Sequence, residues 1–167
     1  MNGQNHRQLQ CQDMLKRTSA HLRLVKFEAW HLDWLDKNNI NGLGLASYIN
    51  KEDAKNLEEI TLSWTGLQDG KIVGCGGFTP LWEGVVEIWL FLNPEGFKRK
   101  KVALRLMRHV LNDIIKREKY HRIQAAVLKG YKKGMRFAEF FGFENEGLMK
   151  SYTADKEDFY RYARIVK

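Results

Sequence analysis

The run Val85-Val86-Glu87-Ile88-Trp89-Leu90-Phe91-Leu92, then Asn93-Pro94-Glu95-Gly96-Phe97-Lys98-Arg99-Lys100-Lys101, then Val102 to Arg117, decides the fold. The first part is an apolar run of strand length bounded by Gly84 and by Asn93-Pro94. The last part places Val102, Ala103, Leu106, Met107, Val110, Leu111, Ile114 and Ile115 at helical spacing. Between them lies a basic turn. Asn93 suits an N-cap and Pro94 a first helical position, so the helix starts either there or after the turn. In the first case Lys98, Lys101, Arg105 and Arg108 form a solvated stripe. In the second, Lys98 to Lys101 crowd the positive end of a helix dipole, a conflict that a bound polyanion such as a pyrophosphate relieves.

Working outward, a strand, a long helix and the next apolar strand, Arg122 to Leu128, require a right-handed crossover and a parallel pair. Upstream, alternation at His21 to Phe27 predicts a strand, and Trp30, Trp34 and Leu35 sit at helical spacing within Glu28 to Asn38. The run Asn38-Asn39-Ile40-Asn41-Gly42 is a break, and Leu43 to Glu59 reads as one or two short helices. Gln68-Asp69-Gly70 marks a hairpin between strands near 60–67 and 71–79. Gly74, Gly76 and Gly77 in the second strand signal a bulge or a close backbone approach. Downstream, Tyr131 to Phe141 reads as a helix, followed by strands near 143–152 and 159–166. The expectation is an α+β domain: a mixed, twisted sheet of about seven strands with helices on both faces, over residues 21–167. Residues 1–20 read as a flexible or loosely helical leader.

Composition narrows the class. With 167 residues and 44% hydrophobic content the chain suits one domain with a packed core. No apolar run reaches the ~18–20 residues of a membrane span, and Met1 to Arg17 lacks the apolar core of a signal peptide. Cys11 and Cys75 imply neither a disulfide framework nor a zinc site, and His21, His31, His109 and His121 match no metal-ligand spacing, so no metal is expected. A reducing, cytoplasmic setting follows. The net charge of +8 favours acidic partners: nucleotides, cofactor phosphates or nucleic acid. No Ser-His-Asp arrangement or G-x-G-x-x-G fingerprint is present.

The order of elements over about residues 21–166 resembles the GNAT family of N-acetyltransferases. In that family the strand before the pyrophosphate loop is followed by R/Q-x-x-G-x-G/A, whose backbone amides hold the pyrophosphate of an acyl-coenzyme A. The motif falls on Lys98-Arg99-Lys100-Lys101-Val102-Ala103. Ala103 matches, Lys98 is a cationic stand-in, and Lys101 replaces a glycine. A second family signal is an Asn, an Ala, a Tyr and then Gly-Phe at the last helix. Here Gly142-Phe143 is present, while Tyr131, Gly134 and Ala138 stand at the Asn, Ala and Tyr positions. The tail Phe143 to Lys150 is similar to ribosomal-protein and phage-type members. The basic turn and the Arg136-Phe137 helix are similar to GNAT-like proteins of tailed bacteriophages.

The resemblance implies acetyl-CoA, or another acyl-CoA, as cofactor. Lys98, Arg99, Lys100, Lys101, Val102 and Ala103 would bind its pyrophosphate. Strand amides near Leu90 and Leu92 would hold its pantetheine, and Tyr131 would either pack on that arm or cap its helix. It also implies that strands 85–92 and 122–128 part at their C-terminal ends. Glu87 is the candidate general base, mid-strand in a half-buried cleft that would raise its pKa, or else a solvent-facing residue in the strand alternation. Tyr152, and beside it Tyr160, are candidate acids in place of the missing tyrosine. The acceptor would be an amine of a protein or small molecule. The protein would act as a monomer or homodimer, free of membranes. Two other readings stay open. One is a catalytically degenerate phage protein acting as a virion or host-binding component. The other is a nucleic-acid modifier or binder on the same fold, resting on charge and on base stacking by cleft aromatics.

Overall fold

The computed structural model describes residues 22–38, 49 and 51–167. The proposed leader, and the break and part of the helical reading at 39–48, lie outside the described residues. In chain order the elements are β1 (Leu22–Lys26), α1 (Trp30–Lys37), α2 (Lys51–Ile60), β2 (Leu62–Gln68), β3 (Lys71–Trp82), β4 (Val85–Leu92), a 3-10 turn (Pro94–Gly96), α3 (Lys100–Arg117), β5 (Arg122–Leu128), α4 (Lys132–Phe140), β6 (Glu144–Met149) and β7 (Phe159–Ile165). All seven strands form one sheet in the order β1-β2-β3-β4-β5-β7-β6, which makes this a single mixed α+β domain.

The parallel pair is β4 with β5, in the register Val85↔Arg122, Val86↔Ile123 and Glu87↔Gln124. The ladder ends there, although β4 continues to Leu92 and β5 to Leu128. The pairs β1–β2, β2–β3, β5–β7 and β6–β7 are antiparallel. Asp69 and Gly70 both have positive φ, 52° and 79°, as the tight turn of the β2–β3 hairpin requires. Some boundaries differ from expectation. Ile60 closes α2 rather than opening β2, β3 runs on to Trp82 rather than ending near Thr79, and β6 stops at Met149 because the chain turns at Lys150 and Ser151.

Packing divides the chain into two units, residues up to Thr79 with Leu90–Leu111, and Pro80–Trp89 with Asn112–Lys167. In the first, Leu22, Val73, Phe97, Ala103 and Leu106 form a buried cluster against which Leu24, Leu92, Met107 and Val110 pack. The inner face of α3 is therefore the one its spacing announced, with one correction: Val102 is exposed. The glycines of β3 mark close approaches, as expected. A Cβ on Gly74 would lie 2.6 Å from the Phe91 carbonyl oxygen, and one on Gly77 would lie 2.6 Å from the Ser63 Cβ. His31 is buried on α1, where its Nδ1 accepts the Glu28 backbone N–H at 2.9 Å and lies 2.8 Å from the Thr65 hydroxyl.

In the second unit, strand alternation separates two faces. Val86, Ile123, Ala125 and Tyr162 share one, with Val86, Ile123 and Tyr162 fully buried. Glu87, Gln124, Ala126, Arg161 and Ala163 share the other. Helix α4 ends on Gly142 with φ of +83°, and the Gly142 and Phe143 N–H groups donate back to the Glu139 and Ala138 carbonyls. The Gly-Phe pair is thus a left-handed helix stop followed by a core residue, since Phe143 is buried.

Two outcomes test this packing. Gly74→Ala should cost about 1–3 kcal/mol in urea unfolding, because the new methyl meets backbone that cannot yield. Burial holds the His31 imidazole below its ordinary pKa, more than offsetting Glu28 and Glu58. As pH falls through the ordinary value of about 6.5, the unfolded chain takes up this proton first and stability drops. His31→Gln should remove that part of the decline in melting temperature between pH 7 and 5.

Candidate active site

The basic turn is built in steps. The Asn93 N–H donates to the Val73 carbonyl at 2.8 Å, while its side chain accepts the Glu95 N–H at 3.1 Å and caps a single 3-10 turn. Phe97 then buries itself in the core, and the chain restarts as α3 at Lys100. Neither helix start read from the sequence is complete. Asn93 is a cap, but of one short turn, and the cations do open the long helix. They are not equivalent. Lys98 pairs with Asp69 at 2.7 Å and Lys100 with Glu95 at 2.9 Å. Arg99 and Lys101 are exposed and form no ion pair among the described residues. The first carbonyl to accept within α3 is that of Arg99, from the Val102 and Ala103 N–H groups at 3.0 Å each. The Lys100 and Lys101 N–H groups precede that bond and face outward, as at any helix start. This end of α3 therefore fits a phosphate, with two amides and two uncommitted cations. Of the other residues proposed for the cofactor, Leu90 is exposed, Leu92 is half-buried in the core cluster, Val102 is exposed and Ala103 is buried.

Glu87 is neither in an apolar cleft nor a plain solvent-facing residue. Arg161 on β7 donates to it at 3.1 Å, and the two side chains keep only 25% and 22% of their exposure. Glutamate and arginine sit two strands apart, and Arg161 stands opposite Ala126 on the intervening β5, whose small side chain leaves room for the reach. The Arg161 guanidinium also lies over the ring of Tyr152, 5.8 Å from its centroid, a cation–π distance. Tyr152 packs on Phe159 with ring centroids 5.3 Å apart. Burial, and then the Glu87 charge, hold its phenol above the ordinary value, with Arg161 pulling the other way. The phenol is therefore protonated at neutral pH and able to donate. Tyr160 belongs to the opposite face of β7 and is not part of this cluster.

The same face carries a second ion pair. Arg122 grips Glu146 through both terminal nitrogens, one contact measuring 2.9 Å, and its Nε donates to Gln124 at 3.2 Å. The Arg122 hydrogen bond, with help from the charge of Arg161, holds the Glu146 carboxyl below the usual range. Arg161, Arg122 and Glu146 were not singled out in the sequence. Period-two alternation through Phe159, Arg161, Ala163 and Ile165 was the available signal, since it puts Arg161 on the face of Glu87.

Tyr131 takes the capping alternative. It precedes α4, and its ring folds over Gly134, where an added Cβ would fall 2.4 Å from a ring carbon. Two of the three departures from the family pattern at this helix are thus one feature: an aromatic in the Asn position needs a glycine in the Ala position.

The model of the Acetyltransferase (GNAT) family matches residues 25–143. The chain belongs to this family. Among solved structures it is similar to Ard1 from Thermoplasma volcanium, with 17% identity, a TM-score of 0.70, and 88% of this chain and 99% of that chain covered. It is also similar to RimL, a ribosomal alpha-N-protein acetyltransferase in complex with coenzyme A, at 17% identity and TM-score 0.67, over 89% and 96% of the two chains. The microcin C7 self-immunity acetyltransferase MccE, in complex with acetyl-CoA and AMP, matches at 15% identity and TM-score 0.68, over 90% and 95%. A comparison with curated protein sequences found no match. At these identities the structures establish a shared fold. Among the described residues no helix is long and apolar enough to cross a membrane, and no cluster of His, Cys, Asp and Glu suits a metal ion.

The Tyr131–Gly134 pairing is testable by a double-mutant cycle in urea. Gly134→Ala should destabilise the protein by about 1–3 kcal/mol by expelling the ring. Adding Tyr131→Asn, which recreates the family pair, should recover part of the loss, with a coupling of about 0.5–3 kcal/mol. Additive effects would separate the two positions.

Proposed function

We propose that this family member is an acyl-CoA-dependent N-acyltransferase that moves an acetyl group to an amine of a protein or small molecule. The observation that supports it best is that Glu87 and Tyr152, each chosen from the sequence as a proton carrier, meet at the single guanidinium of Arg161. Bound acetyl-CoA supplies an already activated thioester, so alignment provides much of the acceleration. Arg99, Lys101 and the first amides of α3 hold the pyrophosphate, with Lys98 and Lys100 adding field while paired to Asp69 and Glu95. Lys101 attracts phosphate as a point charge where a glycine would have let it approach the backbone. Glu87 takes the proton that the attacking amine releases, through a water. With acetyl-CoA bound, Tyr152 would hold a phenolic proton in reach of the leaving sulfur.

A cysteine relay is not part of this scheme. Cys75 is buried, and burial pushes its thiol far above the range in which it ionises. Direct transfer to the amine is the simpler course.

The test has a binding arm and a turnover arm. In calorimetry the protein should bind acetyl-CoA, and Arg99→Ala with Lys101→Ala should weaken binding about tenfold or more and flatten its salt dependence. Glu87→Gln should keep that affinity and lose about 10²–10⁴-fold in turnover against an amine panel. A parent protein that binds no CoA would overturn the proposal in favour of a non-catalytic binding role on the same fold.

A further inference from the structure

The acid and the base proposed above both touch Arg161. It lies on the central part of β7, 22% exposed, opposite Ala126, whose small side chain leaves room for the guanidinium to cross β5. One of its terminal nitrogens donates to Glu87 at 3.1 Å, and its guanidinium carbon covers the Tyr152 ring. A guanidinium is planar, permanently charged and multiply donating, so it can hold a carboxylate at its edge and an aromatic ring on its face at the same time. Lysine cannot do both. The groups facing the Tyr152 phenol are Glu87 from β4 and Arg161 from β7, with the Phe159 ring against its own.

We infer that Arg161 is a positioning residue: its guanidinium holds the Glu87 carboxylate by an ion pair and lies over the Tyr152 ring, so that proton acceptor and proton donor meet in one fixed arrangement. This rests on the acyltransferase reading for its catalytic meaning, but not for its geometry. The arrangement also explains a departure from the family. Ala138, at the position of the frequent family tyrosine, is buried in α4 and offers no hydroxyl. Tyr152 comes instead from the turn after β6, where the Phe159 ring and the Arg161 guanidinium hold its ring.

The experiment uses the full chain with carbon-13 tyrosine, the Tyr152 signal being assigned with Tyr152→Phe. In Arg161→Met and Arg161→Gln the Tyr152 phenol should titrate at higher pH than in the parent, because a neighbouring cation favours phenolate. Arg161→Gln keeps a donor to Glu87 without the charge, so it serves if Arg161→Met folds poorly. In turnover, kcat should fall on the order of 10²-fold with KM for acetyl-CoA unchanged, as expected for lost alignment. The basic limb of the rate profile should move to higher pH with the phenol. Arg161→Lys should restore the titration but not kcat. A Tyr152 titration that does not move, or a variant that loses only melting temperature, overturns the inference. A parent that turns over no amine defeats the acyltransferase reading alone, and the tyrosine titration still decides whether Arg161 governs Tyr152.

Discussion

The parallel register of β4 against β5 is the constraint from which the rest of the site follows. Because side chains alternate along a strand, the pairing Val86↔Ile123 and Glu87↔Gln124 sends one set to the core and the other to the polar face. A slip of one residue would press Glu87 and Gln124 into the space now filled by Val86 and Ile123, both essentially inaccessible to water. Burying an unpaired carboxylate there would cost several kcal/mol even after relaxation. The register is thus fixed by apolar burial on one face. The chemistry of the other face, Glu87 with Arg161 and Arg122 with Glu146, inherits its geometry from that choice.

Much of this fold was legible because its punctuation is strong. Strands 85–92 and 122–128 were read to the residue, one bounded by Gly84 and Asn93-Pro94, the other by the turn around His121 and by Gly130. The Asp69-Gly70 hairpin and the crowding at Gly74 and Gly77 were equally plain, since few residues other than glycine tolerate a positive φ or a backbone within 3 Å. The basic turn was harder. Local preference at Asn93-Pro94 starts a helix, and it does so for one 3-10 turn. The gain from burying Phe97 then pulls the chain out before α3 can begin. Such a tertiary override cannot be read from capping rules. The candidate site divides in the same way. Glu87 and Tyr152 were visible as residue types in suggestive places. Arg161 was not, because its importance comes from reaching across β5 to Glu87, which depends on the strand order and on the smallness of Ala126.

The departures from the family pattern look different once paired with their surroundings. Tyr131 and Gly134 compensate each other in space, so neither is a random loss. Their price is that the Asn position no longer offers an amide. Lys101 has no such partner. It lies exposed beside Arg99 at the head of α3, where two positive side chains stand against the positive end of the helix dipole. Asp69 and Glu95 relieve part of that repulsion at Lys98 and Lys100, and among the described residues Arg99 and Lys101 have no ion pair. A sequence under selection for stability alone would place an acidic residue in that first turn, where α3 has none. An anionic ligand would supply the missing charge, which is the physical ground for the pyrophosphate site proposed there despite the lost glycine.

The two ion pairs also bear on how Glu87, Tyr152 and Arg161 share one cluster. The Tyr152 phenol faces both the Glu87 carboxylate and the Arg161 guanidinium. Arg161 draws the phenol downward, while burial and the Glu87 charge push it up. The upward effects are the larger, so the phenol stays protonated at neutral pH. The outer pair then matters indirectly. Glu146 feels Arg161 as well as Arg122, and its main partner is Arg122, which engages it through both terminal nitrogens. With Glu146 satisfied in this way, Arg161 is left to serve Glu87 and Tyr152. The arrangement of this cluster therefore depends on a division of labour between two arginines, one on β5 and one on β7.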